Sequence, residues 1–499
     1  METLQHLAEG FGVALMPMNL MVAAIGALIG TIVGMLPGLG PINGVALLMP
    51  LAFALKLPPE TALILLTAVY IGCEFGGRIS SILLNVPGDA GAIMTAIDGH
   101  PMAAKGQGGV ALSISAWSSF VGSTIATIGI VLFAPLLARW ALAFGPAEYF
   151  ALMCFAFACI TGLMGNQPLK AVLAAVIGLS LSTVGLDSNS GVYRFTGDNV
   201  HLSDGIQFIV VVIGLFSVSE ILLMLEHQAN ASGLIHATGR NLFNLKEMAM
   251  TWWCTVRSAL IGFVVGVLPG AGATIASAMA YTVEKRMSDQ DGTFGKGDIR
   301  GICAPEAANN ASANGSFIPM LTLGVPGSGT TAVMVGALSL YNITPGPALF
   351  TQQPALVWGL IASMFIGNIL LLLINIPLVG LFTRILLVPN WLLVPGILAI
   401  SAVGVYSVHA TTFDLMLMGG LGIAGYLLRK TGVPMAPLIL GFVLGDLMEQ
   451  NLRRALSITN GELGILMESA ISKGLWIGVI AMLAVPPLYR RWSQLKVSR

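Results

Sequence analysis

Long apolar runs separated by short polar turns dominate the chain, near 17–36, 109–137, 148–164, 168–184, 205–225, 251–268, 355–387, 392–408, 412–428, 434–448 and 465–487. A bilayer crossing needs about 20 mostly apolar residues, so this pattern predicts about eleven crossings and an all-α polytopic membrane protein. Other apolar pieces, 44–57, 61–76, 79–87, 272–284, 300–315, 317–325 and 330–342, are too short or too interrupted to cross cleanly. These are expected to form broken helices and re-entrant hairpins, which survive at membrane depth only when buried in protein or lining a watery cavity.

The interrupted pieces recur. Gly30–Gly40 reads GTIVGMLPGLG and Gly262–Gly272 reads GFVVGVLPGAG, a constant offset of 232, while Leu84–Gly88 (LNVPG) matches Leu323–Gly327 (LGVPG) at 239. The extra residues fall in the polar stretch Glu284–Arg300, whose counterpart is the short turn Lys56–Glu60. Two related halves follow, each with extra transmembrane helices: a first repeat over 17–250 and a second over 251–489, flanked by an interfacial segment, 1–16, and a basic cytoplasmic tail, 490–499. Loop charge points to inverted structural repeats. The second hairpin lies between Arg240, Lys246 and Arg257 and the loop with Lys285, Arg286, Lys296 and Arg300, so its ends look cytoplasmic, whereas the first has only Lys56. The tail Arg490, Arg491, Lys496 and Arg499 agrees with this; Arg453 and Arg454 fit it poorly.

Composition narrows the class further. Charged residues are 9% of the chain, against about 25% in soluble domains, and the mean hydropathy is +0.86. Lys plus Arg (23) balance Asp plus Glu (23), which removes the basic field that nucleic-acid binding requires. The five cysteines, Cys73, Cys154, Cys159, Cys254 and Cys303, have no C-x-x-C spacing and read as small buried hydrophobes. Residues 1–16 lack the basic n-region and cleavage site of a signal peptide, and Leu4, Leu7, Ala8 and Phe11 suggest a short interfacial helix.

Candidate chemistry sits at the breaks. Pro37 and Pro269 cannot continue a helical ladder, and two such breaks at corresponding positions of two halves point to a carrier's midplane site. Gly38, Gly40 and Asn43, and Gly270 and Gly272, fall there, the alternative being a pair of packing kinks. Gly26, Gly30, Gly34 and Gly38, spaced by four, read as a close helix-packing face. The second breaks, Asn85, Pro87, Gly88, Asp89 and Ala90, and Pro326, Gly327, Ser328, Gly329, Thr330 and Thr331, lead into further apolar segments whose helix N-termini suit an anionic group. The latter run almost spells a P-loop, but Thr330 stands where Lys is required, which rules out nucleotide binding.

Asn309, Asn310, Ser312 and Asn314 are oxygen donors suited to sodium, or else interhelical hydrogen-bond glue. Glu306 precedes them, an intramembrane carboxylate with a functional reading by default. Glu74 and Arg78 are spaced for mutual neutralisation on a helix; alternatively Arg78 offers its fork to a substrate carboxylate.

Taken jointly, GMLPGLG (34–40), LNVPGD (84–89), DGHPM (98–102), GLDSNSGVYRFT (185–196), APEAANNA (304–311) and GVPGSG (324–329) make the chain resemble the large membrane subunit of the bacterial tripartite tricarboxylate transporter family. The resemblance covers almost the whole chain. It implies a secondary carrier of the inner membrane that imports an organic di- or tricarboxylate with a small membrane subunit and a periplasmic solute-binding protein, driven by an ion gradient. Arg78 stands where relatives resembling citrate carriers are expected to have a small or polar residue. No cofactor is expected. Sodium is the expected coupling ion, with protons on Glu74, Glu306 or Asp89 as the alternative. A passive anion channel could use the same breaks, while an enzyme is disfavoured by scattered histidines and the lack of H-E-x-x-H, and a primary pump by the lack of Walker motifs.

Overall fold

The computed structural model describes residues 2–163, 167–187, 189–226, 242–386, 388 and 390–497. The first half contains α1 (Glu2–Ala14), α2 (Pro17–Met35), α3 (Gly40–Ala54), α4 (Pro59–Leu84), α5 (Ile93–Met102), α6 (Gly108–Ala141), α7 (Pro146–Leu163) and α8 (Pro168–Ser182). A two-stranded antiparallel ribbon follows, β1 (Gly185–Leu186) on β2 (Tyr193–Arg194). Next come α9 (Phe208–Val212) and α10 (Ser219–Glu226), joined through a π-helical turn. The second half opens with α11 (Leu245–Val267), α12 (Gly272–Ser288), α13 (Arg300–Gly315), α14 (Phe317–Leu323), α15 (Gly329–Leu340) and α16 (Leu349–Gln352). It closes with α17 (Pro354–Asn375), α18 (Val379–Ile385), α19 (Asn390–His409), α20 (Thr412–Lys430), α21 (Met435–Ile458) and α22 (Ala470–Val497).

Seven helical segments among the described residues are long and apolar enough to cross a membrane: Pro17–Met35, Pro59–Leu84, Ile93–Ala141, Phe208–Glu226, Leu245–Val267, Pro354–Asn375 and Trp391–His409. The hydropathy pattern gave more because it cannot see where apolar runs are cut. Pro146–Gly162, Pro168–Ser182 and Ala470–Ala484 are shorter apolar helices. Helix α20 carries Asp414, Arg429 and Lys430, and α21 carries Asp446, Glu449, Arg453 and Arg454. One expected interruption is absent: 61–76 and 79–87 fuse into α4, a 26-residue helix. Its Gly76 continues the helix while presenting bare backbone to α2, where an added Cβ would meet the Thr31 carbonyl oxygen at 2.3 Å.

The sequence repeat is a repeat of contacts. Helix α2 packs on α4 as α11 packs on α13. A Cβ on Gly30 would stand 2.4 Å from the Val69 carbonyl oxygen, and one on Gly262 would stand 2.3 Å from that of Ala308. Gly34 meets the Cys73 carbonyl at 2.1 Å and Gly266 that of Ser312 at 2.4 Å. Each pair is related by the two offsets read from the motifs, so the spaced glycines serve close backbone approach in both halves. The backbone specials also correspond: Gly38 and Gly40 have φ of 87° and 61°, Gly270 and Gly272 have 76° and 67°, and left-handed residues cap α4 (Asn85, 57°) and α14 (Gly324, 69°).

Helix ends place the hairpins. The hydroxyl of Thr61 donates to Asn19 Oδ1 (2.7 Å), joining the starts of α2 and α4, and Arg257 pairs with Glu284, joining α11 to the end of α12. The helices that flank each LPG break, α2 with α3 and α11 with α12, pack on one another. Helix α1 docks on α17, with Gly10 against the Trp358 backbone and Phe11 stacked on Phe365 at 6.1 Å. Arg453 is neutralised by Asp187 and Glu449, which explains its poor fit to a loop-charge rule. Arg240 and Arg499 lie outside the described residues.

Candidate functional site

All four breaks reach one cavity of about 1060 Å³. Helices cannot propagate through Pro37 and Pro269, and the positive-φ glycines that follow turn α3 and α12 back, so Gly38, Gly40 and Asn43 from one half face Gly270 and Gly272 from the other across it. The first VPG break adds Pro87, Gly88, Asp89 and Ala90, and the second adds Ser328, Gly329 and Thr330. Tyr70 and Glu74 of α4 add to the wall, and Arg429 with Gly432, Pro434, Met435 and Ala436 borders it from α20 and the start of α21.

The two VPG breaks differ in their chemistry. At α15 the N-terminus is already closed by a capping box: the Thr331 N–H donates to Ser328 Oγ (3.2 Å) and the Ser328 N–H to Thr331 Oγ1 (2.8 Å). Thr331 is fully buried and does not line the cavity. Ser328 Oγ also lies 3.2 Å from the Tyr70 hydroxyl. Thr330 lines the cavity beside Ser328, with its side chain also on the Tyr70 hydroxyl. At the first break Asp89 Oδ1 accepts the Ala92 N–H (2.8 Å), and Oδ2 is buried without a partner among the described residues.

Gly88 and Gly327 hold the breaks against the helices. A Cβ on Gly88 would stand 2.1 Å from the Gly34 carbonyl oxygen, and one on Gly327 would stand 2.8 Å from Ser316 Cα and 3.0 Å from the Gly266 carbonyl oxygen. The Gly270 N–H donates to the Gly327 carbonyl (2.9 Å), tying the two breaks of the second half together. The missing side chains at 88 and 327 leave room for backbone, so they are not reserved for ligand. Gly327 and Pro326 lie behind the cavity surface, and Asn85 is exposed as the left-handed cap of α4.

Arg78 does not reach the cavity. It is 1% exposed, donates to Ser119 Oγ (3.3 Å) and Asn375 Oδ1 (3.2 Å), and lies 4.9 Å from the Phe75 ring centroid. Ser119 in turn donates to Glu306 (2.9 Å), whose other oxygen accepts from Thr95 (2.6 Å). Neither sequence reading of Arg78 fits this placement: it is bound into a polar layer behind the wall, and Glu74 instead accepts from Asn309 Nδ2 (2.8 Å). Helix periodicity put Glu74 and Arg78 one turn apart but could not see that α6, α13 and α17 supply nearer partners.

The amide run also divides. Helix α13 is regular through 300–315, so its side chains fan out. Asn309 faces Glu74 and Ser277, whereas Asn314 donates to the Ser123 carbonyl (3.1 Å) and Thr127 Oγ1 (3.0 Å) on α6. Asn310 donates to the Glu306 carbonyl (3.1 Å). The side-chain oxygens of Asn310, Ser312 and Asn314 are buried and without a partner among the described residues.

Sequence reasoning missed Glu220 and Arg429, which form an ion pair at the cavity edge. A single acid inside the apolar stretch 205–225 was the available signal. A second cavity, of about 1240 Å³, is bordered by the β1–β2 ribbon, the end of α15 and α21. There Asp187 is held down to about 2 by the Asn189 N–H, the Ser190 hydroxyl and the Arg453 guanidinium. Arg194 forms a fork with both Glu449 oxygens (2.7 and 3.2 Å) and holds that carboxyl below its usual range.

A helical membrane protein whose two halves each break twice at one shared cavity belongs to the class of membrane carriers built around irregular helices. The chain is a member of the tripartite tricarboxylate transporter TctA family, whose sequence profile matches residues 20–440. It is 41% identical over 475 residues to an uncharacterised 52.8 kDa protein in the TAR-I ttuC' 3' region of Agrobacterium vitis, covering 95% of this chain and 94% of that one. An uncharacterised protein in the TAR-II ttuC' 3' region of the same organism is 46% identical over 231 residues, 46% of this chain and 96% of its own length. No solved structure matches.

Proposed function

We propose that this chain is the large transmembrane subunit of a binding-protein-dependent secondary carrier that imports a small organic di- or tricarboxylate across the bacterial inner membrane, coupled to sodium. The observation that carries the reading is the convergence of both LPG and both VPG breaks on one cavity. The halves act as inverted repeats: Tyr70 faces Ser316 and Glu74 faces Asn309, so the equivalent helices α4 and α13 run antiparallel across the cavity. Gly38–Asn43 and Gly270–Ile275, each turning back at its break, are the re-entrant tips.

Among the described residues, the lining carries Glu74, Asp89 and Glu220 against Arg429 alone. A carboxylate that enters a buried cavity together with a cation or a proton brings no unpaired charge into it, which is the physical case for ion coupling. The unpartnered side-chain oxygens of Asn310 and Asn314, one turn apart on the same face of α13, are the donors we assign to sodium; Glu74, Asp89 and Glu306 are the groups a proton-coupled carrier would use. The substrate is held by Thr330, Gly329 and the backbone of Gly88–Ala90 and Gly270–Gly272. The small subunit and the periplasmic binding protein are the expected partners.

The test is uptake of isotope-labelled citrate, succinate and related acids by cells expressing the chain with its small subunit and binding protein. Saturable uptake that stops when the binding protein is omitted, or when potassium replaces sodium, supports the carrier. Flux that does not saturate and needs no binding protein identifies a channel.

A further inference from the structure

Among the described residues lining the central cavity, Arg429 is the only Lys, Arg or His. One of its terminal nitrogens donates to Glu220 Oε2. Its guanidinium lies 5.7 Å from the Phe216 ring centroid, and its buried Nε has no partner among the described residues. The other Glu220 oxygen rests against the first LPG break, where a Cβ on Gly38 would stand 2.1 Å from it. A glycine at 38 is therefore what lets an acid from α10 and a base from α20 meet at the break.

The geometry points to Arg429 as the anchor for one carboxylate of a small di- or tricarboxylate, with Glu220 occupying it as an internal surrogate that the substrate displaces. This deepens the carrier reading and rests on it. Four features carry the assignment. A guanidinium presents five donors in a planar fork suited to carboxylate, and the Nε edge is unused here. Exchanging one carboxylate for another keeps the charge beside the guanidinium constant, and the coupling cation or a proton neutralises the released Glu220 carboxylate, so substrate entry strands neither charge. Arg78, the other arginine near the breaks, lies behind the wall on Ser119 and Asn375 and does not line the cavity. Phe216 supplies a face on which the guanidinium stays placed when its acid partner changes.

The experiment is arginine labelling of the purified full chain with p-hydroxyphenylglyoxal, read peptide by peptide by mass spectrometry, with Arg78 as the internal buried reference. Labelling of Arg429 is expected to be slow in the native chain and roughly tenfold faster in Glu220→Gln, because a charge-assisted bond no longer holds it. Glu220→Asp, which keeps the charge and shortens the reach, is expected to fall between them. Millimolar citrate or succinate should slow labelling of Glu220→Gln towards the native rate. Unchanged labelling in both Glu220 variants overturns the surrogate, and faster labelling that neither acid slows overturns the carboxylate site. A chain that passes this test but shows no saturable uptake keeps the anion site and loses the carrier reading.

Discussion

Replacing Gly34 or Gly266 by Ala tests whether the helix contacts repeated in the two halves are what shape the cavity. In Gly34→Ala the new Cβ stands 2.1 Å from the Cys73 carbonyl oxygen and 2.5 Å from its Cα; in Gly266→Ala it stands 2.4 and 2.7 Å from the same atoms of Ser312. Backbone cannot rotate away, so restoring a contact near 3.5 Å moves one helix by about 1 Å. Overpacking of this kind costs roughly 1–3 kcal/mol. The functional loss should be larger, because α2 and α11 run directly into the LPG breaks, and the Gly34 carbonyl is also what Gly88 rests against. A displacement of about 1 Å in a positioning element can cost on the order of a hundredfold in rate. We expect uptake per molecule of protein to fall at least roughly tenfold in both variants while the chain still reaches the membrane. Gly367→Ala, on α17 with nothing within 4 Å of the added carbon, is the control. Initial-rate uptake normalised to surface-labelled protein is the assay. Wild-type rates in Gly34→Ala and Gly266→Ala, or equal damage in the control, would refute the reasoning.

Asn310→Ala should raise the sodium concentration needed for half-maximal uptake; unchanged sodium dependence with normal membrane levels would assign the amide to helix packing alone. Ser328→Ala should lower thermal stability in detergent by removing the α15 cap, a loss of about 0.5–2 kcal/mol, whereas Thr330→Ala should weaken uptake with little change in stability; the reverse order would contradict the capping geometry. The ribbon contacts of Asp187 should persist on acidification, since its carboxyl titrates near about 2 in the fold and at a higher pH when unfolded. Their contribution is complete above the unfolded value and is lost only as pH falls through the folded one. Limited proteolysis of 185–205 should therefore be unchanged between pH 7 and about pH 5, and Asp187→Asn should be cut faster at both. Asp98→Asn should free the loop at 295–298, because one Asp98 oxygen accepts the N–H groups of Gly295, Gly297 and Asp298 (2.8, 2.9 and 2.9 Å); hydrogen exchange there should rise.

The sequence by itself determined the solvent, the helical class and the duplication. Apolar run length and scarce charge are properties of composition and spacing, and the LPG and VPG matches at two constant offsets placed the breaks without coordinates. The left-handed glycines after each proline were legible for the same reason, since only a few residue types tolerate such backbone. Assignments that depend on distant partners were decided by tertiary structure. Gly77 and Arg78 looked like an interruption, yet α4 runs through them, and its neighbouring Gly76 gives α2 a bare surface. Arg78 looked available, but partners on α6 and α17 take its guanidinium. Thr331 looked like an anion donor, but its hydroxyl closes the cap of its own helix. The amides of α13 looked like one cluster, and the helical turn splits them between α4 and α6. Conversely, the Glu220–Arg429 pair joins residues 209 positions apart, a separation at which no local pattern reports proximity. Local rules fix how backbone turns; which side chain meets which cavity is settled only when the helices pack.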